Sequence, residues 1–205
     1  MVKPGDIKTV GDAKQVVLDF LPGTFSYNSE MVDMARQLVQ LYSEAPASTK
    51  YHGSFPGGLL VHVACVMSLV DVYNNDMTPN KLALLTAAFF HDIGKLGRLT
   101  VRHSELAVQR EYYKPNQTDQ PNAPPFVRDT DLPDHVELAQ YNLMQLSKLV
   151  DPAILYHHID YPVWMAITYH NGAYGSNLTW PVKGNETSLM MHLHFYDMLA
   201  SREYV

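Results

Sequence analysis

Several things are scarce in this chain, and each shortage closes off a class of protein. Its 205 residues include one cysteine, Cys65, so an intramolecular disulfide framework is excluded and a reducing compartment is expected. Cys65 falls in the apolar run Leu59 to Val70, where a buried, inert thiol is expected. No stretch approaches the roughly 18 consecutive apolar residues of a membrane span. The opening Met1-Val2-Lys3-Pro4-Gly5-Asp6 lacks the apolar segment of a secretion signal. The expectation is a soluble, cytoplasmic protein with no membrane partner. Cations are outnumbered, with 15 Lys+Arg against 21 Asp+Glu and a net charge of -6, which argues against strong duplex nucleic-acid binding. A glycine-rich P-loop is also missing, so ATP-driven work is not expected.

What remains suits one globular domain. Hydrophobic residues make up 46% and charged residues 18% of the chain, a balance that excludes wholesale disorder and supplies a substantial core. Helical spacing dominates. A short helix is expected from Asp12 to Leu21, ended by Pro22-Gly23, and another from Glu30 to Glu44 with Ser29 as its cap. Pro56-Gly57-Gly58 launches a third over Leu59 to Tyr73, and Thr78-Pro79 a fourth running through Phe89 to Asp92. Further helices are expected over Asp134 to Leu149, from Pro152 onward with a kink or split at Pro162, and from about Glu186 to Glu203. Residues 113–131 hold Pro115, Pro121, Pro124 and Pro125 and read as a long loop, either a lid or a surface excursion. The fold class is therefore all-α, with residues 1–50 as N-terminal helices packed on a core of 51–205.

Ten His beside 15 Lys+Arg is a high share, and metal chemistry is the natural reason to look closer. In Ala87-Ala88-Phe89-Phe90-His91-Asp92-Ile93-Gly94-Lys95 an imidazole and a carboxylate follow an apolar stretch directly. Burying an ionised carboxylate is costly unless its charge is compensated, and a metal ion does that well. His62 lies in another apolar helix and Asp197 in a third. If the three converge, His62, His91, Asp92 and Asp197 form a mixed nitrogen and oxygen site suited to Mn, Fe, Co, Ni or Zn more than to Mg.

The order of these residues resembles that of the HD-domain metal-dependent phosphohydrolases. Tyr51-His52-Gly53-Ser54-Phe55-Pro56-Gly57-Gly58-Leu59-Leu60-Val61-His62 is similar to a segment of the HD domains in bacterial 3′-to-5′ exoribonucleases and some conjugative relaxases. His91-Asp92-Ile93-Gly94-Lys95 matches the HDIGK signature, Tyr169-His170-Asn171-Gly172 resembles a segment with paired histidines, and His194-Phe195-Tyr196-Asp197 resembles the closing motif. The resemblance implies a single helical HD bundle and a first metal site of His62, His91, Asp92 and Asp197, with Asp92 able to bridge. It implies a second site through His135 and His170, weakened because Asn171 stands where the pattern has a histidine. One or two divalent ions are thus expected, Mn foremost.

By the same resemblance Asp92, His91 and Lys95 carry the chemistry, and Lys95, one helical turn after His91, contacts substrate phosphate; Arg98 and His52 are candidates for phosphate contact. Arg102 is a further candidate clamp. His157-His158 and His192 are expected to be structural, and His103 stays open between a helix cap and a pocket residue. The function implied is metal-dependent hydrolysis of a phosphate ester of a nucleotide or short oligonucleotide. A 3′-to-5′ exonuclease on single-stranded RNA or DNA is the first alternative, and a non-catalytic nucleotide- or protein-binding module the second. Ten Met and 13 Tyr serve either a core or a homo-oligomer interface.

Overall fold

The structure is a computed structural model that describes residues 2–74, 79–118, 120–171 and 188–203. It is mostly helical. The most apolar segment makes the centre: α3 (Gly58–Tyr73) is hydrophobic on every face and is buried from Gly58 through Val70, the position such a helix takes in a packed core. Gly57 caps it with φ 83, a left-handed conformation that a side chain would strain. Around α3 pack α1 (Val10–Thr24), α4 (Pro79–Phe90) and α8 (Ser188–Glu203), with α2 (Ser29–Tyr42) alongside. The main apolar cluster takes side chains from Ile7 through Ala200, and a small second one holds Tyr112, Leu132 and Leu138. Cys65 is buried in it, and burial pushes its thiol up to about 12. Among the described residues no helix is long and apolar enough to cross a membrane.

The remaining helices are α5 (His135–Leu146), α6 (Pro152–His158) and α7 (Tyr161–Tyr169); α7 packs against α4 and α8, and α5 packs against α7. Asp134, Asp151 and Asp160 each accept a backbone N–H at the start of one of them, the usual role of a short carboxylate at a helix N-terminus. Pro162 sits in the first turn of α7, where its missing N–H is harmless, so the chain splits into two helices there.

Several expectations are corrected. Pro22 does not end α1, which runs on to Thr24 with the proline inside it. The cap of α2 is Asn28, whose side chain accepts from the Met31 amide at 3.0 Å, and Ser29 is already helical. Helix α4 stops at Phe90, and His91-Asp92 form a turn before a 3-10 segment over Ile93–Leu96. Thr78, Glu186 and the stretch 172–187 lie outside the described residues.

The all-α expectation misses two small antiparallel sheets. Strands β1 (Arg98–Arg102) and β2 (Glu105–Arg110) form a hairpin with Leu99 opposite Val108 and Val101 opposite Leu106. Its turn is His103-Ser104, with φ 50 and 64. Two left-handed residues match the twist of a hairpin, but this one lacks the Asn-Gly or Asp-Gly that normally announces it. His103 is thus a turn residue. Within the proline-rich stretch, β3 (Tyr113–Pro115) pairs with β4 (Phe126–Arg128), Tyr113 opposite Arg128 and Pro115 opposite Phe126. Asp129 then ties the insertion down: it accepts from Arg110 at 2.6 and 2.8 Å and from Lys114 at 2.7 Å.

Candidate metal centre

Helix ends deliver most of the site. His91 is the first residue past α4, and His170 the first past α7. Each donates from Nδ1 to the carbonyl three residues back, His91 to Ala88 at 2.8 Å and His170 to Ile167 at 2.7 Å. Those carbonyls belong to the last helical turn and would otherwise lack partners. The bonds fix the tautomer, so both rings turn an Nε2 lone pair inward, as a metal-ligating imidazole requires. The carbonyl ends of two helices also bring partial negative charge to the same place, which favours a cation. His135 is arranged alike: its Nδ1 lies 3.3 Å from Asp134 Oδ1, leaving Nε2 for the site.

Asp92 is the hub. Its side chain is 1% exposed, and its two oxygens face different groups. Oδ2 lies 3.3 Å from His91 Nε2, 3.5 Å from His62 Nε2 and 2.7 Å from Lys95 Nζ. Oδ1 lies 3.5 Å from His170 Nε2 and 3.8 Å from His135 Nε2. The ligand-type atoms accordingly form two groups, His62-His91-Asp92 and Asp92-His135-His170, each with its atoms within 4.8 Å of one another. Asp197, delivered by α8, adds Oδ1 at 3.0 Å from His62 Nε2 and 3.8 Å from His91 Nε2.

These spacings fit a metal. Donor atoms about 2.1 Å from a shared ion stand roughly 3.0 Å apart at a right angle and roughly 3.4 Å apart at the tetrahedral angle. The four pairings of His62 and His91 with Asp92 and Asp197 span 3.0 to 3.8 Å. His62 Nε2 and His91 Nε2 are 3.1 Å apart, a contact in which one proton or one cation must lie between two nitrogens. Among the described residues Asp92 Oδ1 and His62 Nδ1 are buried without a hydrogen-bond partner. An unsatisfied buried carboxylate oxygen is costly unless something charged engages it. The residues present therefore could hold a divalent ion, and an imidazole-carboxylate donor set suits a transition metal.

The electrostatics agree with the geometry. Burial alone would raise the pKa of Asp92, but the Lys95 ammonium and His91 outweigh it and hold the carboxyl well below the usual range. Burial would likewise raise Asp197, and the hydrogen bond to His62 brings it down. For His91 the burial penalty is overcome by Asp92, and its pKa rises. His62 and His135 go the other way, because burial dominates and favours their neutral, ligand-competent forms.

The other candidates are placed as follows. The His52 ring is tilted against that of His62, with centroids 5.4 Å apart, and its Nε2 lies 3.4 Å from Ser201 Oγ. Burial, then the His62 and Lys95 charges, lower its pKa to about 4, so it is a neutral imidazole near pH 7. Asn171 reaches the second group, its Nδ2 3.1 Å from His135 Nε2. Arg98 is not brought to the cluster. It stacks over the Tyr141 ring at 4.7 Å and lines a groove with Gln109, Arg110 and Glu137. Arg102 is exposed at the end of β1. His158 packs edge-on against Phe25, and His192 donates to the Ser188 carbonyl at 2.7 Å.

Three supporting residues escaped the sequence reading. Asn142, fully buried on α5, accepts from the Leu99 amide at 3.0 Å and donates to the Ile93 and Gly97 carbonyls at 3.1 and 2.8 Å. It pins the loop after Asp92 to the helix that carries His135. Its signal was a lone amide on the apolar face marked by Ala139, Leu143 and Leu146. Tyr42 donates to the Phe89 carbonyl at 3.0 Å and satisfies the end of α4. Gly94 passes so close to the His135 carbonyl that a Cβ would collide with it. No protein-family model, curated protein or solved structure matches this chain.

Proposed function

We propose that the protein is a divalent-metal-dependent phosphohydrolase of the HD type, hydrolysing a phosphate ester of a nucleotide or short oligonucleotide. The observation that carries the reading is the division of Asp92. One oxygen faces His62 and His91 and the other faces His135 and His170, with Lys95 against the first. The sequence resemblance to HD phosphohydrolases at His62, His91-Asp92 and Asp197 supports the same reading.

His62, His91, Asp92 and Asp197 would hold the first ion, and Asp92, His135 and His170 a second. Bound there, a divalent ion supplies Lewis acidity toward a phosphoryl oxygen and acidifies water near neutral pH. The chain's own residues do the rest. Lys95, one turn beyond His91 and paired with Asp92, neutralises charge that develops on the phosphoryl oxygens. His52 is neutral near pH 7, so it contributes a hydrogen bond to phosphate and carries no imidazolium charge. The buried walls of α3 and α4 exclude bulk water, which strengthens each of these interactions.

The test is hydrolysis of bis-p-nitrophenyl phosphate by Mn-loaded protein. Turnover that disappears in Asp92→Ala supports the reading. A folded protein with bound Mn and no turnover on any phosphoester overturns it and leaves a binding module.

A further inference from the structure

We propose that the groove between the two-sheet insertion and the end of α2 is the subsite for the non-phosphate part of the substrate. It takes one flat, uncharged aromatic group, such as a single nucleobase, and excludes a polynucleotide track. This rests on the phosphoester reading above and adds to it the identity of the group beyond phosphorus.

The groove has a cavity of about 500 Å³, within the usual range for a small organic ligand. Leu41, Ala45 and Pro56 form one wall, and Tyr113, Pro115 and Phe126 the other. The second wall follows from strand register. Tyr113 and Pro115 are two residues apart on β3 and share a face, and Phe126 lies directly across from Pro115 on β4. The aromatic surface is therefore built by the pairing of two strands and does not depend on a wandering loop.

Lys95 joins groove to cluster. It lines the groove, and its Nζ is 2.7 Å from Asp92 Oδ2. Tyr112, the neighbour of Tyr113, has its ring 6.1 Å from that of His135, so the aromatic wall also borders the second group of ligand atoms. Both Lys95 and Asp92 act electrostatically on the Tyr113 phenol. A phosphate held at the Lys95 end would place whatever is esterified to it among these rings.

Charge decides how much of a substrate fits. Among the described lining residues Lys95 is the only cation, and Glu44 and Glu111 are carboxylates. A groove that tracks a nucleic-acid backbone carries repeated cations beside its stacking rings. Here the next phosphate of a strand would meet carboxylates instead. One anionic group at the Lys95 end and one stacked ring is what the lining accommodates.

Isothermal titration of the Mn-loaded protein separates the possibilities, using a pair of non-hydrolysable probes. These are methylphosphonate and the 5′-methylene phosphonate of adenosine, with a short single-stranded DNA as a third ligand. The nucleoside phosphonate should bind about tenfold or more tighter than methylphosphonate, the scale of one base stacking on aromatic side chains. Phe126→Ala and Tyr113→Ala should each narrow that ratio while the far-UV spectrum stays that of the parent. The DNA should bind no tighter than the nucleoside phosphonate. Equal affinity for the two phosphonates overturns the subsite while the metal-phosphoester reading stands. Affinity that grows with strand length also overturns it, in favour of a polynucleotide track. Failure of both phosphonates to bind the Mn-loaded protein overturns the subsite together with the reading beneath it.

Discussion

Asn171 Nδ2 donates to His135 Nε2 at 3.1 Å, the very nitrogen that would face a second ion. Because His135 Nδ1 is engaged by Asp134, Nε2 holds a lone pair, and the amide proton competes with a cation for it. Replacing the amide by a second imidazole removes a competitor and adds a ligand.

Asn171→His is therefore expected to tighten the weaker of the two Mn binding steps by about tenfold, equivalent to roughly 1.4 kcal/mol. Titration calorimetry reads the two steps separately. An unchanged weaker step would mean that Asn171 does not limit the second group.

Lys95 is expected to hold the metal-free protein together as much as to serve chemistry. Its ammonium is 2.7 Å from a carboxylate that is 1% exposed, and removing one partner of such a pair strands the other. Lys95→Met should lower stability by about 3 kcal/mol in chelator. The deficit should shrink when Mn is added, since the ion supplies the missing positive charge. Urea unfolding with and without Mn makes the comparison, and an equal loss in both conditions would contradict the idea.

His52 contributes a pH dependence of definite sign. His52 titrates at its ordinary 6.5 in the unfolded chain and at about 4 in the folded one. Between those values the unfolded chain binds a proton that the folded chain refuses, so stability falls as pH falls through that window. His62 and His135, also lowered, act in the same direction, whereas His91, raised, opposes them. In chelator, His52→Gln should lose less stability than the parent between about pH 7 and about pH 5. Parallel losses in parent and variant would show that His52 is not held neutral by the fold.

How far the sequence spoke depended on the kind of signal. The helices around His62, His91 and Asp197 were legible because apolar spacing and ionisable intruders are both local patterns. The division of Asp92 between two groups was legible only through the family resemblance, since it depends on where α5 starts and α7 ends in space. The hairpin was missed because His103-Ser104 adopts left-handed conformations without the glycine that normally signals them. Arg98 was expected as a phosphate clamp. The turn at Gly97 and the start of β1 instead carry it onto Tyr141. Asn142 shows the converse: a single polar residue on an apolar helix face marked a structural pin that went unread.

Everything proposed for this protein depends on Asp92 anchoring a metal centre built from buried histidines. Equilibrium dialysis against Mn, followed by metal quantification per folded chain, tests it most directly. At least one tightly held Mn is expected in the parent, and loss of that ion in Asp92→Ala with helical content retained. A parent protein that retains no more Mn than Asp92→Ala would contradict it.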